Sequence, residues 1–285
     1  MKKISVGMVA LILLAGCSSA KYKAPKYKEN LSRAQNIMHA GNLHTGIEDQ
    51  WLEPDQAGSL TSDLITGGLF TAAGAGSAFT SVNGLNPLQS AGLNLLLWGM
   101  RPESDGANNA IVAFMPHRMA ATAEEAQRVF MAMVKQSLKE VLESKGAKIF
   151  DEAENDKKTI FAYQYLKKEW GCAGTKNCFG FITIRRPFLG ESNPKITGKK
   201  ELVWAFSVKS NRLNKIEIEG FGKEDAADTP QYDILKAVSK DLPSWAFIYL
   251  APKKVLIGKN EPLKIPVLLE KGEERLFINP KSLKQ

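Results

Sequence analysis

Residues 110–146 read AIVAFMPHRMAATAEEAQRVFMAMVKQSLKEVLESKG and carry the strongest local signals in the chain. The run Ala110–Met115 is short and apolar and contains β-branched and aromatic side chains, which is typical of a buried strand. Proline lacks the backbone N–H that a sheet ladder needs, so Pro116 is predicted to end this strand. The first regular element of the C-terminal part is therefore a buried strand.

A helix is predicted shortly after this strand. Thr122 and Glu125 have the spacing of a capping box, in which both side chains bind backbone N–H groups at the start of a helix. The helix is predicted to run to about Lys145 and to stop at Gly146, because glycine is common just after a helix. One face is predicted to be buried, since its apolar side chains recur with helical spacing. These residues are Val129, Phe130, Met133, Val134, Leu138, Val141 and Leu142.

The remaining sequence up to residue 285 contains further strand signals and one more helix signal. The second helix is predicted to begin near Pro230, to include Val238 and to end before Pro243. Further strands are predicted at Ala147–Phe150, Thr159–Leu166, Phe179–Arg185, Leu202–Val208, Lys215–Gly220, Trp245–Leu250, Lys254–Ile257, Ile265–Glu270 and Arg275–Ile278. This order predicts an α+β fold, with a mixed or antiparallel sheet that carries two helices on one face.

The region before this domain is rich in glycine and alanine. From Leu64 to Met100 there are 37 consecutive positions without a charged residue. Gly68, Ala72 and Gly76 recur every four residues, so a helix here would present small side chains on one face and allow a close helix–helix contact. We favour a packed helical hairpin. The alternatives are a membrane-inserting or oligomer-forming segment and a loosely ordered loop.

A short helix is also predicted nearer the N-terminus, with Asn30 as its cap and Gly41 at its end. The overall composition is that of a folded protein, since 44% of the 285 residues are apolar and 24% are charged. It excludes a wholly disordered, collagen-like or coiled-coil chain. The net charge is +8, but most lysines are interspersed with acidic residues, and nucleic-acid binding is not predicted.

The first residues have the pattern of a secretory signal. Two lysines precede an apolar run from Ile4 to Ala15, which at about 18 Å is too short for a hydrocarbon core of about 30 Å. The run leads into Leu14-Ala15-Gly16-Cys17. This sequence resembles the lipobox of bacterial lipoproteins.

The resemblance implies cleavage before Cys17 and attachment of lipid to the Cys17 sulfur. Ser18 stands where an aspartate retains enterobacterial lipoproteins in the inner membrane, so the resemblance implies the periplasmic face of the outer membrane. The predicted organisation is a signal peptide (1–16), a lipidated basic tether (17–30), a helical Gly/Ala-rich apolar region (31–104) and an α+β domain (105–285).

The predicted tether is basic, because residues 21–28 read KYKAPKYK. Four lysines in eight residues are suited to adhesion to anionic headgroups or to acidic cell-wall polymers. The segment is also compatible with a solvated, extended linker, and we favour this interpretation.

Cys172 and Cys178 are predicted to form a disulfide, because the periplasm is oxidising. Turn-forming residues separate them and strand signals flank them, so the bridge is predicted to close the tip of a hairpin. The C-x₅-C spacing differs from the C-x-x-C of redox dithiols, and zinc would require further ligands that the nearby sequence lacks.

A search for catalytic motifs finds no nucleophile elbow, H-E-x-x-H, P-loop or β-lactamase pattern. His39 and His44 lie near Glu48 and Asp49, but their spacing does not suit a helical metal site, and no metal or other cofactor is predicted. His117 follows the first strand without an evident nucleophile beside it.

These observations favour a non-enzymatic subunit of a cell-envelope assembly of the secretion, conjugation or surface-assembly type. It would bind envelope proteins, or a second copy of itself, through a sheet edge or the Gly/Ala-rich region. The alternative is an envelope hydrolase that acts on peptidoglycan or lipid through a site that no motif reveals. A ligand-binding lipoprotein is a third and weaker hypothesis.

Overall fold

The structure is a computed structural model that describes residues 22–43, 46–51, 109–155, 159–170, 172, 178–206, 214–219, 231–255 and 263–282. The helices are α1 (Arg33–Ala40), α2 (Ala123–Ser144), α3 (Pro194–Thr197) and α4 (Gln231–Asp241). The strands are β1 (Tyr22–Lys23), β2 (Ala110–Pro116), β3 (Lys148–Glu154), β4 (Ile160–Leu166), β5 (Cys178–Thr183), β6 (Phe188–Glu191), β7 (Leu202–Phe206), β8 (Lys215–Glu219), β9 (Ala246–Val255), β10 (Leu263–Glu270) and β11 (Glu273–Leu276). The predicted α+β class is confirmed.

The strands form two sheets. The larger has the order β1-β6-β7-β2-β9-β10-β11, and the smaller has the order β3-β4-β5-β8. The smaller sheet is antiparallel throughout. The larger sheet is mixed, because β1 runs parallel to β6 while its other neighbouring strands are antiparallel. Local sequence patterns identify most of these strands but do not divide them between two sheets.

Helix α2 begins and ends where the sequence predicts. The Thr122 hydroxyl accepts a hydrogen bond from the Glu125 N–H at 3.1 Å, and the Glu125 carboxylate accepts one from the Ala121 N–H at 2.8 Å. Gly146 follows the helix with a φ of 76°, the left-handed conformation that glycine adopts without strain. The capping signals therefore set the length of this helix.

Helix α1 is present, but its predicted cap at Asn30 is wrong. The cap is Ser32, whose hydroxyl accepts a hydrogen bond from a backbone N–H in the first turn. Gly41 follows the helix with a φ of −74°, and the left-handed conformation occurs instead at Asn42, with a φ of 62°. A Cβ atom on Gly41 would lie 2.8 Å from both γ-carbons of Val112, so glycine is required here for close approach to β2.

Two hydrophobic cores lie on opposite faces of the larger sheet. Alternate residues of β2 point to opposite faces, so Ile111 joins the core beneath α2 and α4, while Val112 joins the core beneath α1 and α3. The smaller sheet contributes Tyr163 and Ile182 to the first of these cores. Because both faces of β2 are covered, its sequence is continuously apolar rather than alternating.

Asn214 connects the two sheets. Its side-chain amide donates to the Phe206 carbonyl at 3.1 Å and accepts from the Arg185 N–H at 2.7 Å. Its backbone carbonyl accepts from the Ile111 N–H at 2.9 Å. Asn214 is buried, so these bonds satisfy polar groups that water does not reach.

The first strand falls within the segment that the sequence assigns to the tether. The Tyr22 hydroxyl donates to the Ala40 carbonyl at 3.0 Å, and the Tyr22 ring lies 6.0 Å from the ring of Phe114. A Cβ atom on Gly190 would lie 2.0 Å from the Tyr22 carbonyl oxygen, so β1 fits beside β6 only because this residue is glycine. Tyr22 and Lys23 thus belong to the folded domain rather than to an extended linker.

Several predicted features lie outside the described residues. They are the signal sequence with Cys17, the uncharged segment with Gly68, Ala72 and Gly76, and His44. The proposed lipidation, the helix contact and the boundaries of the four predicted regions stay predictions.

Candidate interaction surfaces

A hydrogen-bond network joins α1 to the segment 46–51. Ser32 donates to both carboxylate oxygens of Asp49, from its N–H at 2.7 Å and from its hydroxyl at 2.5 Å. Burial raises the pKa of the Asp49 carboxyl, although the hydrogen bonds from Ser32 and the nearby His39 act in the opposite direction. The Ser32 hydroxyl thus bonds the Asp49 carboxylate and caps α1. These bonds hold the segment 46–51 against the start of the helix, which is a structural role.

His117 lies in the turn between β2 and α2. Its ring is 5.3 Å from the ring of Trp204, whose indole N–H donates to the Ala120 carbonyl at 2.9 Å. These contacts hold the turn against the larger sheet. Within the described ranges, no three His, Cys, Asp or Glu side chains are grouped closely enough to hold a metal ion. No helix in that part of the chain is long and apolar enough to cross a membrane.

Cys172 and Cys178 lie at disulfide-bonding distance, with their Cα atoms 5.3 Å apart. Cys178 begins β5 and is the register partner of Tyr165 at the end of β4. Lys167 and Cys172 exchange two backbone hydrogen bonds, at 2.9 and 3.1 Å. This geometry agrees with the predicted bridge at the end of a hairpin.

We expect reduction of this bridge to lower the free energy of unfolding by about 1–3 kcal/mol, because the closed loop is short. The measurement is urea unfolding with and without reductant. The Cys172→Ala/Cys178→Ala double variant serves as the control and should not respond to reductant. The prediction fails if both thiols of the native protein react with an alkylating agent under oxidising conditions.

Lysines of α2 hold β3 against the helix. Lys135 pairs with Glu154 at 2.9 Å and with Glu152 at 3.5 Å, and Lys139 also pairs with Glu152. Burial alone would raise the pKa of Glu152, but Lys139 and Lys135 together outweigh it and lower this pKa. The Lys135 ammonium also lies 4.1 Å from the centre of the Phe161 ring. These contacts fix β3 although it has only one neighbouring strand among the described residues.

The β3 edge, residues Lys148–Glu154, is the first candidate surface. β3 ends the smaller sheet, so its outer backbone groups pair with no other described strand. The register with β4 shifts between Ile149 and Asp151, which leaves Phe150 as a bulged residue with 44% of its surface exposed. Trp51 and Leu202 are the other large exposed apolar residues among those described. An open strand edge with an exposed ring is suited to protein binding.

The second candidate surface surrounds β1, and we call it the basic edge. The Asn193 side-chain amide donates to the Pro25 carbonyl at 3.0 Å. Lys195 forms an ion pair with Glu29, and its ammonium lies 5.4 Å from the centre of the Tyr27 ring. The N-terminal segment and α3 are therefore adjacent. The basic edge consists of six exposed lysines: Lys23, Lys26, Lys28, Lys195, Lys199 and Lys200.

Sequence analysis identified only half of this surface, because it assigned no helix or strand to residues 191–200. A local signal for α3 does exist. Asn193 caps the helix, Pro194 occupies its first turn and Gly198 follows it with a φ of 83°. No local signal shows that this turn lies beside residue 25, since that contact joins parts of the chain 168 positions apart.

The two surfaces differ in their chemistry. The β3 edge offers backbone hydrogen-bonding groups and an aromatic side chain, whereas the basic edge offers ammonium groups. Comparison of the chain with protein-family models, curated proteins and solved structures gave no match. The proposals below are therefore argued from the N-terminal signal and from these two surfaces.

Proposed function

We propose that this chain is a lipoprotein anchored to the periplasmic face of the outer membrane and that it acts as a non-enzymatic interaction subunit of a cell-envelope assembly. The lipobox resemblance of Leu14-Ala15-Gly16-Cys17 supports the anchor. The observation that carries the interaction role is the open β3 edge with Phe150 exposed.

The β3 edge is suited to binding a partner strand. A strand added beside β3 would bond to its outer N–H and C=O groups, and the exposed ring of Phe150 would supply apolar contact area. The ion pairs from Lys135 and Lys139 hold β3 in place beforehand, so less conformational freedom is lost on binding. The partner is another envelope protein or a second copy of this chain.

The anchor is tested by Cys17→Ser. We expect the variant to incorporate no labelled palmitate and to keep residues 1–16, because the sulfur that accepts the lipid is absent. Ser19→Ala is the matched control and should be lipidated and cleaved like the parent. Palmitate incorporation by Cys17→Ser equal to that of the parent would contradict the proposal.

The interaction role is tested by placing a photoreactive amino acid at position 150 and crosslinking in intact cells. We expect one discrete adduct from position 150 and none from position 240, because Lys240 is exposed on α4 and its carbonyl bonds Lys271 at the β10–β11 turn of the other sheet. Mass spectrometry of the adduct distinguishes a second copy from another envelope protein. Equal labelling from both positions, or none from either, would refute this use of the β3 edge.

A further inference from the structure

The basic edge has an excess of positive charge. Three of its lysines are paired with glutamates: Lys195 with Glu29, Lys199 with Glu201 at 3.2 Å and Lys200 with Glu191 at 2.8 Å. The ammonium groups of Lys23, Lys26 and Lys28 form no ion pair with a carboxylate of the described residues. An anionic partner would therefore meet three cations that no described carboxylate neutralises.

An exposed leucine lies among these lysines. Leu202 begins β7, and 44% of its surface is exposed. Its register partner on β6 is Glu191, and the register partner of Glu191 on β1 is Lys23. Lysines around an exposed apolar side chain suit the membrane interface, where cations contact headgroups and the apolar group reaches the acyl boundary.

The proposed lipid anchor attaches next to this surface. Tyr22 is held by its pairing with Gly190 and by its bond to the Ala40 carbonyl. The chain from Cys17 to Tyr22 spans at most about 18 Å, even when fully extended. Lipid on Cys17 would therefore keep the basic edge near the headgroups. An inference that uses this proximity rests on the proposed function, because the anchor is part of that function.

We infer that the basic edge, together with Leu202, docks on the anionic phospholipid headgroups of the membrane that holds the anchor. A lysine near an anionic bilayer strengthens binding about fivefold, so three unpaired lysines shift the ratio of docked to undocked domains by about a hundredfold. The attraction is screened beyond about 8 Å at physiological salt. The connection of at most about 18 Å to the anchor allows the lysines to come within that range.

The test uses the full lipidated chain with one new cysteine, Asn30→Cys, which carries a fluorescent donor. Cys172 and Cys178 are buried and at bonding distance from each other, so neither competes for the label. The protein is reconstituted into vesicles of phosphatidylcholine alone or mixed with phosphatidylglycerol, each containing a headgroup-labelled acceptor. We expect greater energy transfer in the mixed vesicles, and a fall to the phosphatidylcholine level in high salt.

A matched pair of variants separates docking from a general effect of charge. Lys23→Gln/Lys26→Gln/Lys28→Gln should abolish the effect of phosphatidylglycerol on transfer from position 30. The control variant is Lys168→Gln/Lys240→Gln/Lys281→Gln, which removes three exposed lysines outside the basic edge. It should keep the effect of phosphatidylglycerol on energy transfer. A donor at Gln136→Cys should report little change, since its neighbour Lys135 pairs with β3 of the smaller sheet, whereas the basic edge surrounds β1 at the end of the larger sheet.

The outcomes distinguish this inference from the proposed anchor. Protein that floats with the vesicles but shows transfer independent of phosphatidylglycerol and salt would overturn the docking and leave the anchor intact. An equal loss of the effect in both triple variants would also overturn the docking. Protein that does not float with vesicles of either composition would overturn the anchor, and the docking with it.

Discussion

Phe130→Ala is expected to lower the free energy of unfolding by about 3–5 kcal/mol, the range for truncation of a fully buried phenylalanine. Phe130 lies on α2 and is inaccessible to solvent. Its ring centre is 4.6 Å from that of Phe206 and 5.4 Å from that of Trp245. The substitution would leave a cavity between α2 and the larger sheet, which the surrounding rigid elements cannot fill completely.

The effect of Phe130→Ala is measured by urea unfolding followed by circular dichroism. Phe130→Leu keeps most of the buried volume and should lower stability by only about 1–2 kcal/mol. Arg128→Ala removes an exposed side chain from the same helix and should change stability by about 0.5 kcal/mol or less. If Phe130→Ala and Arg128→Ala had equal effects, α2 would not pack as described.

Arg33→Ala is expected to lower the free energy of unfolding by about 2–3 kcal/mol. The Arg33 guanidinium forms two hydrogen bonds with the Glu270 carboxylate, at 2.9 and 2.5 Å, and others with the carbonyls of Lys195 and Ile196 at 2.8 and 3.0 Å. Breaking a buried ion pair costs about 3–5 kcal/mol, and partial exposure of Arg33 reduces this figure.

The matched control for Arg33→Ala is Arg33→Lys. It keeps the charge but loses the planar geometry that reaches the carboxylate and both carbonyls, so an intermediate loss of stability is expected. The measurement is again urea unfolding. A loss below about 0.5 kcal/mol for Arg33→Ala would show that solvent replaces these bonds and would contradict the prediction.

The same ion pair makes stability depend on pH. Burial alone would raise the pKa of Glu270, but hydrogen bonds and charge from Arg33 and Arg275 outweigh it, so the pKa lies below its ordinary value. The stabilisation is therefore fully present above the unfolded pKa of about 4.3 and is lost as pH falls through the lower folded pKa. We expect Glu270→Gln to be less stable than the parent at neutral pH, by a difference that shrinks below about pH 4.

The control for this pH dependence is Glu273→Gln, which neutralises an exposed carboxylate on the neighbouring strand. Its stability should differ from that of the parent by a small amount that changes little with pH. A deficit of Glu270→Gln that stays constant from neutral pH to pH 3 would contradict the assigned coupling.

Where a signal lies within a few residues, the sequence predicted the structure well. The capping box at Thr122 and the glycine at position 146 set the two ends of α2. The turn residues between Cys172 and Cys178 predicted a hairpin, and β4 and β5 form it. Such features depend on backbone geometry and hydrogen bonds between near neighbours, so they can be read without knowledge of the remaining fold.

Predictions that depended on packing were less complete. Asn30 is a chemically good cap, but the helix begins two residues later, where Ser32 can bond both the helix and Asp49. Gly41 ends the helix as predicted, but the sequence did not show that it is also required for close contact with Val112. In each case a contact with a residue distant in sequence decided the outcome. The free energy of such a buried contact is as large as the difference in helix propensity between neighbouring residues.

The sequence by itself determined the α+β class, the strand–helix unit at residues 110–146 and the placement of the two cysteines close together at a hairpin. Only the tertiary structure decided that β1 joins the larger sheet, that β3 is left at an edge and that Arg33 meets Glu270. Arg33 and Glu270 are 237 positions apart, and no pattern within one element specifies such a pair. Strand partners and distant ion pairs are chosen by which faces must be buried together, and that is a property of the whole packed chain.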